Sequence, residues 1–231
     1  MGSPRRRTVK AIATAAFALA AGSVTAKDGW TILFDGRSTQ AWRGYNRDSF
    51  PAGCWSVEDG TLKTVPSKGD GCDLITRRKY RDFELALEWK VGKGGNSGVL
   101  YRAAELPVPE PIWHSAPELQ ILDDSAHPQA TPQTLTGALY DLVAPVDKVV
   151  RPIGEWNEAR VVVRGDHVEH WLNGRKVLEY ELGGAALAAR IAGSKFKDME
   201  RFAREKEGYI GLQHHGEEAW FRNIRIRPLR P

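Results

Sequence analysis

Residues 82–91, DFELALEWKV, show most directly how this 231-residue chain folds. Apolar side chains occupy every second position of the stretch: Phe83, Leu85, Leu87, Trp89 and Val91. Successive side chains of a β-strand point to opposite faces of its sheet. A period of two therefore predicts a strand with one face in a core.

A later region, residues 156–182, repeats this pattern in three consecutive strands. Gly165-Asp166 marks the first turn, and Asn173-Gly174 marks the second. Asn-Gly is typical of two-residue hairpins because both residues readily adopt positive φ, so we expect a three-stranded antiparallel meander. Further short strands are predicted at residues 30–34, 55–57, 61–64, 73–76, 97–102, 118–123, 137–141, 209–213 and 219–227.

Helical spacing occurs only at residues 185–191 and 196–206. In the last predicted strand the apolar positions change phase at Arg222-Asn223, which indicates a β-bulge. Many short strands with Gly- and Pro-containing turns, and at most two short helices, predict an all-β sandwich. No shift in composition marks a boundary, so residues 27–231 are expected to form one domain.

The first 26 residues have the organisation of a secretory signal. A basic cluster at Arg5–Arg7 precedes an apolar run at residues 11–22, and Val24-Thr25-Ala26 resembles a cleavage site. The run is about 12 residues long, whereas a bilayer span takes roughly 20. The alternative to a signal is that these residues form the first helix of the fold. We expect a periplasmic or secreted protein without a membrane span, and the paired arginines loosely match a twin-arginine signal.

The charge of the chain argues against nucleic-acid binding. Its pI is near 9.1, with 33 Lys and Arg against 29 Asp and Glu. Four of those basic residues lie in the first 26 positions, so the remainder is neutral and offers no surface for a phosphate backbone. The glycine-rich residues 92–98 precede no helix, so no nucleotide site and no organic cofactor is expected. They form either a hairpin loop or a ligand-facing loop presenting Asn96 and Ser97.

Cys54 and Cys72 are the only cysteines. Export would permit a disulfide between them, and closing so short a loop contributes about 3 kcal/mol in the chain-entropy model. Two separate buried thiols are the alternative. Neither residue has the sequence context of a catalytic nucleophile.

Several polar residues at strand positions are candidates for catalysis. On a strand, the side chains of Glu118 and Gln120 point to one face and that of Leu119 points to the other. An acidic side chain on that face could also simply be solvated. Arg102 ends a neighbouring strand, where it could form a structural ion pair or bind a sugar oxygen or an enolate.

Of the six histidines, His214 and His215 hold the most promising position. They follow directly after the strand predicted at residues 209–213, and a strand end delivers side chains to a cleft. A histidine there could act as general base or metal ligand, or could be a solvent-facing turn residue.

A series of short stretches, in their order along the chain, resembles the 3-keto-disaccharide hydrolase domain family. Its opening pattern matches residues 29–36, and the later matches include Asn96–Arg102, Glu118–Ile121, Gly208–Gln213 and Phe221–Ile224. The resemblance spans residues 29–229. It implies a concanavalin A-like, jelly-roll sandwich outside the cytoplasm that acts on 3-keto-glycosides, with a separate sugar C3-oxidoreductase as an upstream partner.

The chemistry that this resemblance implies needs a base whose pKa lies near neutral pH, and a positive charge beside the oxygen of the enolate. A C3 ketone acidifies the C2 proton, whose removal allows the C1 aglycone to leave, and water then adds to the enone. His215 is expected as the base, with Glu118 and Arg102 as the other catalytic residues. His214 stands where the family usually has an acid or amide. The expected substrate-binding residues are Asn96, Gln120, Tyr140, Trp156, Asn157 and Gln213.

A divalent ion (Ca, Mg or Mn) held by Glu118, Gln120 and His215 would also suit an enediolate. Two other functions remain open at this point. A laminarinase-type hydrolase would use the positions of Glu118, Gln120 and Asp123, although a carboxamide replaces the middle acid. A non-catalytic carbohydrate-binding module would share the architecture.

Overall fold

The computed structural model describes residues 29–66 and 72–230, which form two antiparallel β-sheets packed face to face. The expected signal segment, residues 1–26, lies outside this range. The strands are β1 Thr31–Phe34, β2 Trp42–Gly44, β3 Trp55–Glu58, β4 Thr61–Thr64, β5 Leu74–Thr76, β6 Phe83–Val91, β7 Asn96–Ala103, β8 Glu118–Leu122, β9 Asn157–Arg164, β10 His167–Leu172, β11 Arg175–Glu181, β12 Tyr209–Leu212 and β13 Ala219–Pro228. One α-helix, α1, spans Ala185–Ala192.

The larger sheet has eight strands in the order β11-β10-β9-β6-β13-β4-β3, and β1 also pairs with β13. The smaller sheet has the order β2-β5-β12-β7-β8. The inward faces bury the largest side chains of the core, among them Trp42, Trp55, Trp89, Phe34, Phe83 and Phe221. The all-β sandwich with one short helix is therefore confirmed.

The period-two segments fold as predicted. Residues 157–181 form the meander β9-β10-β11, and the strand at residues 83–91 lies at the centre of the larger sheet. The bulge in β13 is present: its pairing with β6 shifts register between Arg222 and Arg225, and Asn223 has a φ of 53°.

Two of the sequence predictions are wrong. Residues 137–141 form only isolated bridges, through Leu139, and not a strand. Residues 196–206 form turns, because Phe196 and Phe202 stack face to face at 3.9 Å, a packing that replaces a helical repeat. Of the two alternatives for the glycine-rich segment, the hairpin loop is excluded, since β6 and β7 belong to different sheets and the segment crosses between them. The strand β2 was not predicted.

A disulfide joins the two sheets at one end of the sandwich. Cys54 precedes β3 in the larger sheet and Cys72 precedes β5 in the smaller one, and their Cα atoms lie 6.1 Å apart. The Trp55 indole donates a hydrogen bond of 2.7 Å to the Cys72 carbonyl beside it. This crosslink holds the start of β5, which leads into the cavity described below.

A buried polar cluster also connects the sheets. The Tyr101 hydroxyl of β7 lies 2.7 Å from His170 Nε2 of β10 and 2.6 Å from the Tyr180 hydroxyl of β11. Burial lowers the pKa of His170 to about 4 and raises that of Tyr101 well above its usual value. The imidazole is therefore neutral at physiological pH. Among the described residues, no helix is long and apolar enough to cross a membrane.

Candidate active site

The outward face of the smaller sheet lines a cavity of about 700 Å³. Strand ends and loops from most of the chain build its walls. Its lining residues are Tyr45, Asn46, Arg47, Asp73, Asn96, Val108, Pro109, Glu110, Pro111, Trp113, Glu118, Gln120, Tyr140, Lys195, Gln213, His214 and His215.

Strand β8 supplies the floor of the cavity. Glu118 and Gln120 face the cavity, while the alternating residues Leu119 and Ile121 are wholly buried in the core. The neighbouring strand β7 leaves room for the carboxyl group, because a Cβ added at Gly98 would lie 1.8 Å from Glu118 Oε1. A glycine at this position is what allows Glu118 to lie against the sheet.

Glu118 is a nearly buried carboxyl, only 6% exposed. Desolvation raises its pKa to about 8, although the charge of Lys195 acts in the opposite direction. The charge of Asp73 raises the pKa further. Glu118 is thus mainly protonated at neutral pH. A carboxyl group with such a shifted pKa in a cleft is characteristic of acid–base sites.

Polar groups beside Glu118 complete the floor. In the amide orientation that satisfies its neighbours, the Gln120 nitrogen donates to Glu118 Oε1 and to the Ser97 carbonyl, each at 3.2 Å. The Ser97 hydroxyl in turn donates to the Gln213 carbonyl at 2.7 Å. These bonds connect β8, β7 and the end of β12, so the floor is a rigid surface.

The two histidines after β12 have different environments. His214 is buried, its ring lies edge-on to Trp55 with centroids 5.8 Å apart, and its Nδ1 has no hydrogen-bond partner in residues 29–66 or 72–230. His215 is exposed, and its Nδ1 lies 2.9 Å from Glu217 Oε2. Because a carboxylate can only accept, Nδ1–H donates in this contact, which leaves Nε2 free to accept a proton.

Lys195 contributes a positive charge that the sequence did not reveal. Its Nζ lies 4.3 Å from the centre of the Tyr140 ring and 4.5 Å from that of Trp113. Desolvation lowers its pKa, while the charges of Glu118 and Asp141 partly oppose that shift. Lys195 lies in a turn far from β8 in the sequence, and Trp113 lies in a short 3-10 helix just before β8. Neither belongs to a strand pattern, so the alternation that predicted Glu118 and Gln120 could not place them here.

Of the residues predicted for catalysis and binding, six line the cavity: Asn96, Glu118, Gln120, Tyr140, Gln213 and His215. Arg102 does not. It has a φ of 48° at an irregularity of β7, and its guanidinium donates to the carbonyls of Gly165 at 2.6 Å and Arg81 at 3.2 Å. Arg102 is nearly inaccessible and fastens β7 to the β9–β10 turn, so it cannot contact a ligand in the cavity.

Trp156 and Asn157 also lie outside the cavity, because β9 belongs to the larger sheet. The Trp156 ring packs against the Arg222 guanidinium at 4.0 Å. The Asn157 side chain is buried, accepting from the Arg151 backbone at 2.8 Å and contacting Asn173 at 2.8 Å. Both residues stabilise the fold on the other side of the sandwich.

The residue set of a laminarinase-type hydrolase is not assembled. Asp123 is buried and accepts from the backbone nitrogens of Gly94 at 2.8 Å and Ser125 at 3.1 Å. It fixes the turn after β8 and does not line the cavity. Protonation of a leaving group and attack on the sugar would need a second carboxyl beside Glu118 on this strand, which is missing there.

The expected metal ligands Glu118, Gln120 and His215 share the cavity but are not preassembled. In the described part of the chain, the only cluster of three His, Cys, Asp or Glu donor atoms within 4.8 Å is His167, Glu169 and Glu179, on the outer hairpin β10–β11. Glu118 lies on the floor, whereas His215 is exposed and bonded to Glu217. This arrangement does not fit a ready-made cation site, so no reaction step below depends on one.

Comparisons with known proteins agree with the fold. The sequence profile of the 3-keto-alpha-glucoside-1,2-lyase-like domain matches residues 29–227. A 3-keto-disaccharide hydrolase from Bacteroides thetaiotaomicron is 40% identical over 230 residues, covering 87% of this chain and 79% of that protein. A proposed glycosyl hydrolase from Parabacteroides distasonis matches with a TM-score of 0.82 at 30% identity, over 90% of this chain and 99% of its own. A second structure from that organism matches with a TM-score of 0.63, also at 30% identity, over 81% of this chain and 99% of its own.

Proposed function

The chain belongs to the 3-keto-alpha-glucoside-1,2-lyase-like domain family, and from this we propose that it cleaves glycosides carrying a ketone at C3 of the sugar. The observation that carries the proposal is Glu118, a carboxyl buried on the cavity floor with its pKa raised to about 8. Such a group serves proton transfer or hydrogen-bond donation to a developing oxyanion.

The reaction begins with loss of the proton from C2, which the adjacent ketone acidifies. His215 is the base, because Glu217 holds its Nδ1–H and leaves Nε2 available. The electron pair of the C2–H bond passes to the C3 oxygen and forms an enolate. Glu217 acts as a positioning residue, since it contacts the imidazole and does not line the cavity.

The enolate oxygen needs positive charge or strong donors. Lys195 and the protonated Glu118 supply both, and they occupy the role first expected of Arg102. When the enolate collapses, the C1–O bond breaks and its electron pair leaves with the aglycone oxygen, which takes up a proton. Water then adds to the enone, so the sum of the steps is hydrolysis.

Asn96, Gln120, Tyr140 and Gln213 are the proposed contacts to the sugar hydroxyls. Tyr140 and Trp113 provide aromatic surface in the same cavity, and Lys195 packs against both rings. A cavity that combines aromatic walls with a few convergent polar groups is typical of small-molecule sites.

The decisive experiment compares matched glucosides with and without a 3-keto group, using mass spectrometry in deuterated water. We expect cleavage of the keto form only, with deuterium at C2. His215→Ala should lower turnover by at least about 100-fold, as expected for loss of a general base. His127→Ala, at a loop outside the cavity, is the matched control. Cleavage of the unoxidised glucoside, or deuterium-free product, would contradict the mechanism.

A chelator and added Ca, Mg or Mn form a further arm of that experiment. Glu118, Gln120 and His215 are not preassembled as ligands, so a divalent ion would have to draw them together, and this arm tests whether it does. Loss of turnover with chelator and its return with one of these ions would assign the cation. Turnover that neither the chelator nor the added ion changes would mean that the side chains alone carry out the reaction.

The location and supply of substrate are proposed on chemical grounds. Residues 1–26 would direct export and be removed, and mass spectrometry of the periplasmic or secreted protein should then find an N-terminus at Lys27. Because ordinary glycosides carry no C3 ketone, an oxidation at C3 must precede this enzyme. A sugar C3-oxidoreductase is therefore the proposed source of its substrate.

A further inference from the structure

A second cavity, of about 290 Å³, crosses the outer face of the larger sheet, on the opposite side of the sandwich from the catalytic cavity. Ala86 of β6 forms its floor between the longer side chains of Glu84 and Glu88 on the same face. Trp30, just before β1, and Trp171, on β10, stand at its two ends. We name this cavity the tryptophan groove.

The two tryptophans are held by one connected network. The Arg160 guanidinium lies 3.9 Å from the Trp171 ring, and the Arg227 guanidinium lies 4.8 Å from the Trp30 ring. Both arginines bond to the same buried carboxylate, Glu84, with Arg160 Nη1 at 3.0 Å and Arg227 Nε at 2.8 Å. Glu84 thus fixes the two rings on either side of the groove, and a preorganised surface loses little entropy on binding.

The charges around the groove nearly balance. Glu84 and Glu158 line it with two negative charges, and Arg160 and Arg225 line it with two positive ones. Arg227, bonded to Glu84, adds one further positive charge beside the lining. Binding of an anionic polymer takes several cationic contacts, which one excess charge does not supply. A protein partner of ordinary affinity would need a far larger apolar surface than a groove of this size offers.

We propose that the tryptophan groove binds a neutral oligosaccharide, separately from the catalytic cavity. Two fixed aromatic rings provide flat apolar surfaces for the C–H faces of sugar rings. Paired carboxylates and guanidiniums supply acceptors and donors for hydroxyl groups. The site would hold the enzyme on a glycan while the catalytic cavity acts, which raises the local concentration of substrate.

The test uses the full chain labelled with ¹⁵N at its tryptophan indoles. The probes are cellohexaose, laminarihexaose and maltohexaose, with hexagalacturonate as the anionic comparison. We expect at least one neutral hexasaccharide to shift the indole signals of Trp30 and Trp171. The Trp113 indole reports the catalytic cavity, so the same spectrum separates the two sites. Trp→Phe substitutions assign the signals.

Variants then measure the contribution of each ring. Trp171→Ala should weaken binding at least tenfold, which is about 1.4 kcal/mol. Ala86→Leu, which fills the groove from its floor and leaves both tryptophans in place, should do the same. Trp156→Ala is the matched control, because Trp156 is a partly exposed tryptophan of the same outer face that lies outside the groove.

Turnover of a small 3-keto-glucoside should be unchanged in the groove variants, so the outcome does not depend on whether the proposed reaction is right. The proposal is overturned if no neutral hexasaccharide shifts Trp30 or Trp171, or if only hexagalacturonate does. It is also overturned if Ala86→Leu binds as tightly as the unaltered chain.

Discussion

Glu118 is the first residue on which the proposed mechanism depends. If it works in its protonated form, as proposed, Glu118→Gln keeps a neutral hydrogen-bond donor and should retain turnover within about tenfold. Glu118→Ala removes the donor and should lose at least about 100-fold, the cost of one oxyanion donor. Steady-state kinetics of both variants decide whether Glu118 acts as a hydrogen-bond donor or as the base. A loss in Glu118→Gln as deep as in Glu118→Ala would make Glu118 the base.

The same residue predicts a pH profile. Turnover should fall as pH rises through about 8, because ionisation removes the proton that Glu118 donates. The fall at high pH should be absent in Glu118→Gln, whose amide does not titrate.

Lys195 is the second residue on which the proposed mechanism depends. Lys195→Met keeps the apolar stem against Trp113 and Tyr140 but removes the charge that stabilises the enolate. We expect kcat to fall by about 100-fold with a much smaller change in KM, because the charge develops in the transition state. Lys197→Met, two residues along and exposed, is the control. An equal effect of the two changes would contradict a role for Lys195.

Individual residues differ in how far their positions follow from the sequence. The alternation along β8 places Glu118 and Gln120 on one face, and the structure has them there. Arg102 was predicted from its place at a strand end, but its φ is positive and its guanidinium bonds to the β9–β10 turn instead of entering the cavity. Lys195, Asp73 and Trp113 reach the cavity from a turn, a strand end and a short 3-10 helix, and tertiary packing determines where they lie.

At the level of secondary-structure elements, the pairing of β7 with β8 determines the shape of the cavity floor. Gly98→Ala would place a Cβ 1.8 Å from Glu118 Oε1, so the carboxyl group must move. We expect at least a tenfold loss of turnover with a modest loss of stability. Gly53→Ala is the matched control, since nothing lies within 4 Å of that Cβ and its φ is unstrained. Unchanged kinetics in Gly98→Ala would show that the position of Glu118 is not critical.

The crosslink between the starts of β3 and β5 should matter for stability. Cys54 and Cys72 are 18 residues apart, and opening a loop of that size costs about 3 kcal/mol in the chain-entropy model. We expect the double variant Cys54→Ser/Cys72→Ser to unfold at correspondingly lower urea concentration. Reductant should destabilise the unaltered chain to the same extent and should have no effect on the variant. A variant as stable as the oxidised chain would contradict a stabilising role for the disulfide.

The elements themselves were largely predictable, because period two and turn dipeptides are local signals. The meander β9-β10-β11 and the bulge of β13 followed directly from them. Two segments depart from these local signals for different reasons. In residues 196–206 the stacking of Phe196 on Phe202 replaces a helix. Residues 92–98 cross from β6 to β7 between two sheets, which only the pairing of strands distant in sequence determines.

For the whole molecule, two buried groups determine how stability varies with pH. The folded-state pKa of Glu118 is raised to about 8, so the folded state holds a proton that the unfolded chain loses above about 4. This lowers stability by roughly 1.4 kcal/mol per pH unit up to about 8. His170, with its pKa lowered to about 4, has the opposite slope between about 4 and 6.5.

The slopes of these two buried groups oppose each other below pH 6.5, and above it Glu118 continues alone of the two. The more exposed His167, whose pKa its hydrogen bond with Glu181 raises, adds a smaller decline there. We therefore expect the free energy of unfolding to decline between about pH 6.5 and 8. The decline should become much shallower in Glu118→Gln, which should be more stable than the unaltered chain at pH 8. Urea denaturation across this range measures both effects. A flat profile in the unaltered chain would mean that Glu118 is ionised at neutral pH.

The walls of the catalytic cavity come from positions as far apart as Tyr45 and His215. The smaller sheet brings them together through pairings between strands distant in sequence, such as β5 with β12. During synthesis, therefore, no partial chain can possess the site until β12 has left the ribosome. Folds dominated by such distant pairings form over milliseconds to seconds. Catalytic competence is thus one of the last properties the polypeptide acquires, and the regain of turnover after dilution from denaturant marks the final step of its assembly.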